Sequence, residues 1–132
     1  MIKYINGIAF LFFTLLASSC KDGGCNIVLN SVSFKTTLNP DQATPVRVTN
    51  GWSYADGGKC GIIVYNTGKQ LVAYDRCVPI SNTKLLVEGF EIVDKESGAK
   101  WLLMDGTPTQ SSECSLKKYG VQTSGELIII SN

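Results

Sequence analysis

Nowhere in the chain do apolar residues recur every 3.6 positions over ten or more residues, so the sequence offers no long amphipathic helix. Its apolar runs are short, rich in Val, Ile, Tyr, Phe and Trp, and separated by Gly, Asn, Asp and Pro. β-Branched and aromatic side chains suit a pleated, half-buried surface, and the residues between them supply turns. Candidate strands fall at 27–34, 46–49, 61–66, 70–75, 85–93, 100–104 and 127–130. With no repeat, low-complexity tract or internal linker, the expectation is a single all-β domain. The clearest loop, 39–45, carries Pro40 ahead of Asp41 and Gln42, a start suited to one helical turn.

The strongest local pattern is GIIVYNTGKQLVAYD, two apolar runs around Asn66, Thr67, Gly68 and Lys69. Glycine takes positive φ without penalty, so a four-residue hairpin loop fits, with Tyr65 facing Gln70. Both strands are apolar on both faces, which implies burial between layers.

Ahead of this domain, Lys3 precedes an apolar run over 5–16 that is too short to span a bilayer comfortably and reads as a secretory segment. Leu16-Ala17-Ser18-Ser19-Cys20 follows, small residues before a cysteine, and resembles the lipobox of bacterial lipoproteins. That resemblance implies cleavage before Cys20 and acylation of its sulfur and amine, palmitate included. The other reading is an ordinary signal peptide cut near 17–19, with Cys20 joining a disulfide. The expected organisation is a signal peptide at 1–19, an acylated cysteine and tether at 20–25, and a β domain at 26–132. Several acyl chains anchor stably where one binds reversibly. Lys21-Asp22-Gly23-Gly24 reads as a Gly-rich tether or as an export signal for the outer membrane. The address is thus the envelope of a Gram-negative bacterium, lipid-anchored at the outer membrane on its periplasmic or surface face.

Removing 19 of the 132 residues leaves 113, enough for one modest core. Of the 12 basic residues only Lys3 is lost, so 11 balance the 11 acidic ones, and no excess of positive charge selects nucleic acid. The chain contains no histidine, the commonest metal ligand and the side chain best suited to acid–base work near neutral pH. Catalytic residues are not expected.

Three segments together, GGKCGIIVYNTGKQLVAYDRCVP, SGAKWLLMDGTP and LKKYGVQTSGELIIISN, resemble the Rieske [2Fe–2S] ferredoxin-like domain in its bacterial lipoprotein form. The resemblance covers about 57–132. It implies an antiparallel, ISP-domain-like β-sandwich in which two hairpins carry the cluster loops. A Rieske centre needs two cysteines on one iron and two histidines on the other. Placed on this chain, the first loop supplies Cys77 with Pro79 at the histidine position, and the second supplies Asp94 with Ser97 at the histidine position. Proline has no donor, and Asp and Ser are hard oxygen donors mismatched to sulfur-bridged iron. The expectation is a degenerate member without the cluster, and no other metal.

Apart from Cys20, the cysteines Cys25, Cys60, Cys77 and Cys114 form an even set in an exported chain, as disulfides require. Three pairings exist. In the expected hairpin register Cys60 faces Asp75, two residues from Cys77. Because Cys77 and Cys114 both flank cluster loops in the family, the resemblance favours Cys77 with Cys114 and Cys25 with Cys60.

Trp52, Tyr54, Tyr65, Tyr74, Trp101 and Tyr119 read as core or half-buried sheet residues. Asp75-Arg76 reads as a strand-end ion pair, Asp105-Gly106 as a turn, and Asp94-Lys95-Glu96 as a solvated hairpin tip with too few carboxylates for Ca²⁺. The leading functional expectation is a non-catalytic lipoprotein that binds or supports a protein or small-molecule partner. The alternatives are a [2Fe–2S] electron carrier with atypical ligands, serving an oxidoreductase, and a thiol-based redox protein using Cys77.

Overall fold

The computed structural model describes residues 33–78 and 83–132. The lipobox, Cys25, Pro79 and the expected strand 27–34 up to residue 32 therefore lie outside the described residues, while Ser33 and Phe34 precede the first strand. Among the described residues no helix is long and apolar enough to cross a membrane.

Among the described residues, ten strands form two antiparallel sheets: β1 (Lys35–Thr37), β2 (Trp52–Ala55), β3 (Ile62–Asn66), β4 (Leu71–Asp75), β5 (Leu86–Glu88), β6 (Glu91–Val93), β7 (Lys100–Leu102), β8 (Pro108–Gln110), β9 (Lys118–Ser124) and β10 (Leu127–Ser131). The larger sheet runs β1-β10-β9-β4-β3-β2 and the smaller β5-β6-β7-β8. Sequential hairpins dominate the smaller sheet, whereas β9 and β10 return from the chain end to sit between β4 and β1.

The alternation of β3 explains why both its faces read as apolar. Ile62 and Val64 join Ala73, Tyr119, Ile128 and Ile130 in one core, capped by α1 (Pro40–Ala43) and the 3₁₀ turn Thr44–Arg47 through Ala43 and Val46. Ile63 and Tyr65 point the other way, where Tyr74 meets Ile92, Trp101 and Leu103 of the smaller sheet and its following turn. Ile62, Ile63, Tyr74 and Trp101 have no exposed surface. Burying such a side chain contributes about 1.5–3 kcal/mol, so this double-sided packing is the main stabilising term.

Several expected strands shift for local reasons. At 46–49 the chain ends the 3₁₀ helix Thr44–Arg47 and turns, forming no strand, because the Asn39–Gln42 capping box and Pro40 start a helix that Pro45 tightens. The run 85–93 is a hairpin, β5 and β6, turned at Gly89, whose φ is 61°. β1, β2, β8 and β9 were not among the expected strands. Lys118–Ser124 is mostly polar and exposed, so it lacks the apolar alternation that marks a strand.

The β3–β4 hairpin differs from the expected register by two residues. Tyr65 pairs with Val72, and Asn66 with Leu71. The loop is tightened by its own side chains: Gly68 N–H donates to Asn66 Oδ1 at 2.8 Å, and Lys69 and Gln70 N–H donate to Thr67 Oγ1. Thr67 N–H then reaches Gln70 O at 2.9 Å, leaving Gly68 and Lys69 at the tip. Gly68 sits at φ 91°, where a side chain would be strained.

Candidate functional site

The corrected register brings Cys60 opposite Cys77, and the two form a disulfide with Cα atoms 5.3 Å apart. Both expected pairings are thereby overturned: Cys77 is not bonded to Cys114, nor Cys60 to Cys25. A two-residue slip keeps every side chain on its face, so only the opposition of the cysteines changed. Cys114 is also disulfide-bonded.

Asp75 lies beside this bond. Residues 60, 62, 73, 75 and 77 share one face of the hairpin, and Tyr119, paired with Ala73, extends that face. The Asp75 carboxyl has no exposed surface. Cys77 N–H donates to its Oδ1 at 2.7 Å, while Lys59 N–H and the Tyr119 hydroxyl donate to Oδ2. Such a network offsets the cost of burying a carboxyl group. Burial, then the bond to Asp75 and its charge, pushes the Tyr119 phenol well above its ordinary value. The chain must also pass close over this carboxyl: a Cβ on Gly58 would stand 2.5 Å from Asp75 Oδ2. Cys60, Asp75 and Cys77 each place a potential metal-ligand atom within 4.8 Å of the others, the disulfide occupying both sulfurs.

Arg76, the expected partner of Asp75, points away from it. Its Nε donates to Leu85 O at 2.9 Å, and its guanidinium lies 3.6 Å above the Tyr54 ring. Adjacent strand residues face opposite sides, which is why no ion pair forms. Burial lowers the Arg76 pKa, partly offset by Tyr54.

The two loops singled out by sequence do meet. A cleft of about 880 Å³ opens between them, lined by Val78 and Thr83 of the first, Asp94, Glu96 and Ser97 of the second, and the segment 111–114, with Trp101 and Ala99 beneath. The loops are joined by Thr83 Oγ1 donating to Glu96 Oε2 at 3.0 Å. Within the second loop Ser97 Oγ donates to Asp94 Oδ2 at 2.5 Å, and Glu96 N–H to Asp94 Oδ1 at 3.1 Å. Asp94 is buried, at 3 % exposure, and staples the β6–β7 turn; the expected solvated tip holds for the exposed Glu96 and for Lys95, which pairs with Glu88 on the surface. Asp105 meets its expectation as a turn residue, its carboxylate accepting from Thr107 N–H and Oγ1; these bonds hold its pKa below the ordinary value. Of the aromatics, Tyr65, Tyr74, Trp101 and Tyr119 are buried and Trp52 and Tyr54 half-buried, as expected of sheet residues.

Neither a family model nor a curated protein sequence matches the chain. Solved structures do. The ferredoxin of carbazole 1,9a-dioxygenase from Nocardioides aromaticivorans IC177 superposes with a TM-score of 0.51 at 15% identity, covering 76% of this chain and 97% of that one. A chain from the complex of reduced oxygenase and oxidized ferredoxin in carbazole 1,9a-dioxygenase gives 0.50 at 17% identity, covering 76% and 93%. The fold is all-β and Rieske-like. At such identities the likeness extends to the fold alone.

The donor set decides whether a [2Fe–2S] cluster fits. Around the cleft the side chains of Thr83, Asp94, Glu96, Ser97, Ser111, Ser112 and Glu113 offer oxygen, the Cys114 sulfur is in a disulfide, and so is that of Cys77. Cluster irons take thiolate sulfur or imidazole nitrogen. The described residues do not fit the group.

Proposed function

We propose that the protein is a lipid-anchored envelope lipoprotein whose Rieske-like scaffold has exchanged its cluster site for an open, oxygen-rimmed cleft and serves a non-catalytic binding role. The observation that carries this reading is the fate of the ligand positions: the Cys77 sulfur is bonded to Cys60, and Asp94 and Ser97 are bonded to each other. Anchoring comes from the lipobox-like stretch ending at Cys20 and remains part of the proposal. The cleft has the build of a small-molecule site, with the apolar Val78, Ala99 and Trp101 below a rim of hydroxyls and carboxylates. Such a rim favours a polar, hydroxylated or cationic ligand.

Purified mature protein tests the reading. It should be colourless, lack visible sulfur-to-iron charge-transfer bands, and keep its fold under chelator, since no metal holds it together. Stoichiometric iron and labile sulfide in anaerobically prepared protein would return the function to electron transfer.

A further inference from the structure

The Cys60–Cys77 pair is asymmetric in a way that a purely structural crosslink does not require. Cys77 has no exposed surface, whereas Cys60 is partly exposed in the wall of an open cleft of about 450 Å³. Lys59 and Lys84 border that cleft, cations of the kind that favour an approaching thiolate. The buried Asp75 carboxyl stands within 4.8 Å of both sulfurs, fixed by Cys77 N–H, Lys59 N–H and the Tyr119 hydroxyl. One cysteine at a cleft wall, one fully buried cysteine and a fixed carboxylate beside both are the parts of a thiol–disulfide exchange centre.

We propose that Cys60–Cys77 is such a centre, exchanging with dithiol or disulfide partners at Cys60 while Cys77 resolves the mixed disulfide. A partner thiolate attacks Cys60 Sγ; the partner–Cys60 bond forms, the Cys60–Cys77 bond breaks, and the electron pair leaves on Cys77 Sγ, which takes up a proton. The partner's second thiol, deprotonated, attacks the partner's own sulfur and releases Cys60, which is protonated in turn. The partner ends as a disulfide, oxidised by two electrons, and the protein holds two thiols. In the reverse direction the Cys60 thiolate opens a disulfide partner, Asp75 takes the proton of Cys77, and Cys77 closes on Cys60, releasing the partner as a dithiol. This activity is independent of the cleft between the loops.

Differential alkylation of the folded mature chain after dithiothreitol treatment, read by peptide mapping, tests the proposal. Cys60 and Cys77 should become thiols with near-ultraviolet dichroism retained, and glutathione disulfide should restore the bond. A bond that opens only when denaturant unfolds the chain overturns it. In variants, Cys60 of Cys77→Ser should take up glutathione from glutathione disulfide at least about tenfold faster than Cys77 of Cys60→Ser, because only the exposed sulfur is attacked. Equal rates overturn the assignment. Asp75→Asn should slow the closing step of Cys77 onto a glutathionylated Cys60 and leave the capture step unchanged; slowing of neither step removes Asp75 from the chemistry. Should the variants not fold, the wild-type opening experiment decides alone.

Discussion

Ser97 Oγ donates to Asp94 Oδ2 at 2.5 Å, so two polar side chains of the β6–β7 turn are bonded to each other. The turn is closed by further bonds from the same pair: Glu96 N–H to Asp94 Oδ1, Ala99 N–H to Ser97 Oγ, and Gly98 N–H to Asp94 O. The Asp94 carboxylate thus organises this loop.

Removing that organiser should cost stability and nothing else that a metal assay could read. Asp94→Ala leaves the Ser97 hydroxyl and the Glu96 N–H without their partner, a loss of about 1–3 kcal/mol in urea unfolding. Ser97→Ala should cost less, about 1 kcal/mol, and the double variant should show strong coupling. Additive losses would mean that the pair does not act as one staple.

The Cys60–Cys77 bond closes a loop with a sequence separation of 17, and for such a length the chain-entropy model gives about 3 kcal/mol. Cys60→Ala with Cys77→Ala should lower unfolding stability by about that amount. Peptide mapping of unreduced protein should find Cys60 joined to Cys77. With Cys20 acylated, the remaining cysteine for Cys114 is Cys25, and that peptide pair should appear; a Cys20–Cys114 pair would instead remove the lipid anchor from the proposal.

The architecture was legible in the sequence because it rests on apolar content: the β3 and β4 runs, the β10 run Leu127–Ser131, and the aromatic core positions all stand out. Strands such as Lys118–Ser124 were not legible, since pairing on both sides and not side-chain burial holds them in place. The hairpin register escaped for a related reason. Its turn is set by Asn66 and Thr67 side chains bonding the loop backbone, and a displacement of two residues leaves the apolar pattern unchanged. That displacement, together with the pairing the resemblance favoured, hid the disulfide. The buried role of Asp75 was equally hidden, because a neighbouring Arg76 in sequence suggests an ion pair that strand alternation forbids. Two signals for it were present, an acid two residues before Cys77 and a distant tyrosine, but only the β4–β9 pairing joins them.

Lipid attachment is tested at Cys20. Cys20→Ser should abolish metabolic acyl labelling and yield precursor or released protein, because the apolar run at 5–16 is too short to anchor on its own. Acyl chains persisting on the variant, with partition into detergent, would contradict the lipobox reading.

Alkaline unfolding should be steep, and two tyrosines set its slope. Burial first, then the Asp105 charge and Tyr65, raises the Tyr74 phenol, whose hydroxyl donates to Leu103 O at 2.9 Å; burial and Asp75 raise Tyr119. Both ordinary values are 10.0. Below that pH the folded and unfolded chains alike keep both protons, and the stability is fully present. Above it the unfolded chain releases protons that the folded chain retains, so unfolding is favoured by about 1.4 kcal/mol per pH unit for each tyrosine. Urea unfolding followed from pH 8 to pH 11 should therefore decline beyond about pH 10. Tyr119→Phe should be less stable at pH 8, by about 1–3 kcal/mol, because Asp75 loses a hydrogen bond, yet its decline should be shallower by one proton. Tyr74→Phe should show the same shallower decline, and an unchanged slope in both variants would mean that these phenols titrate alike in the folded and unfolded chain.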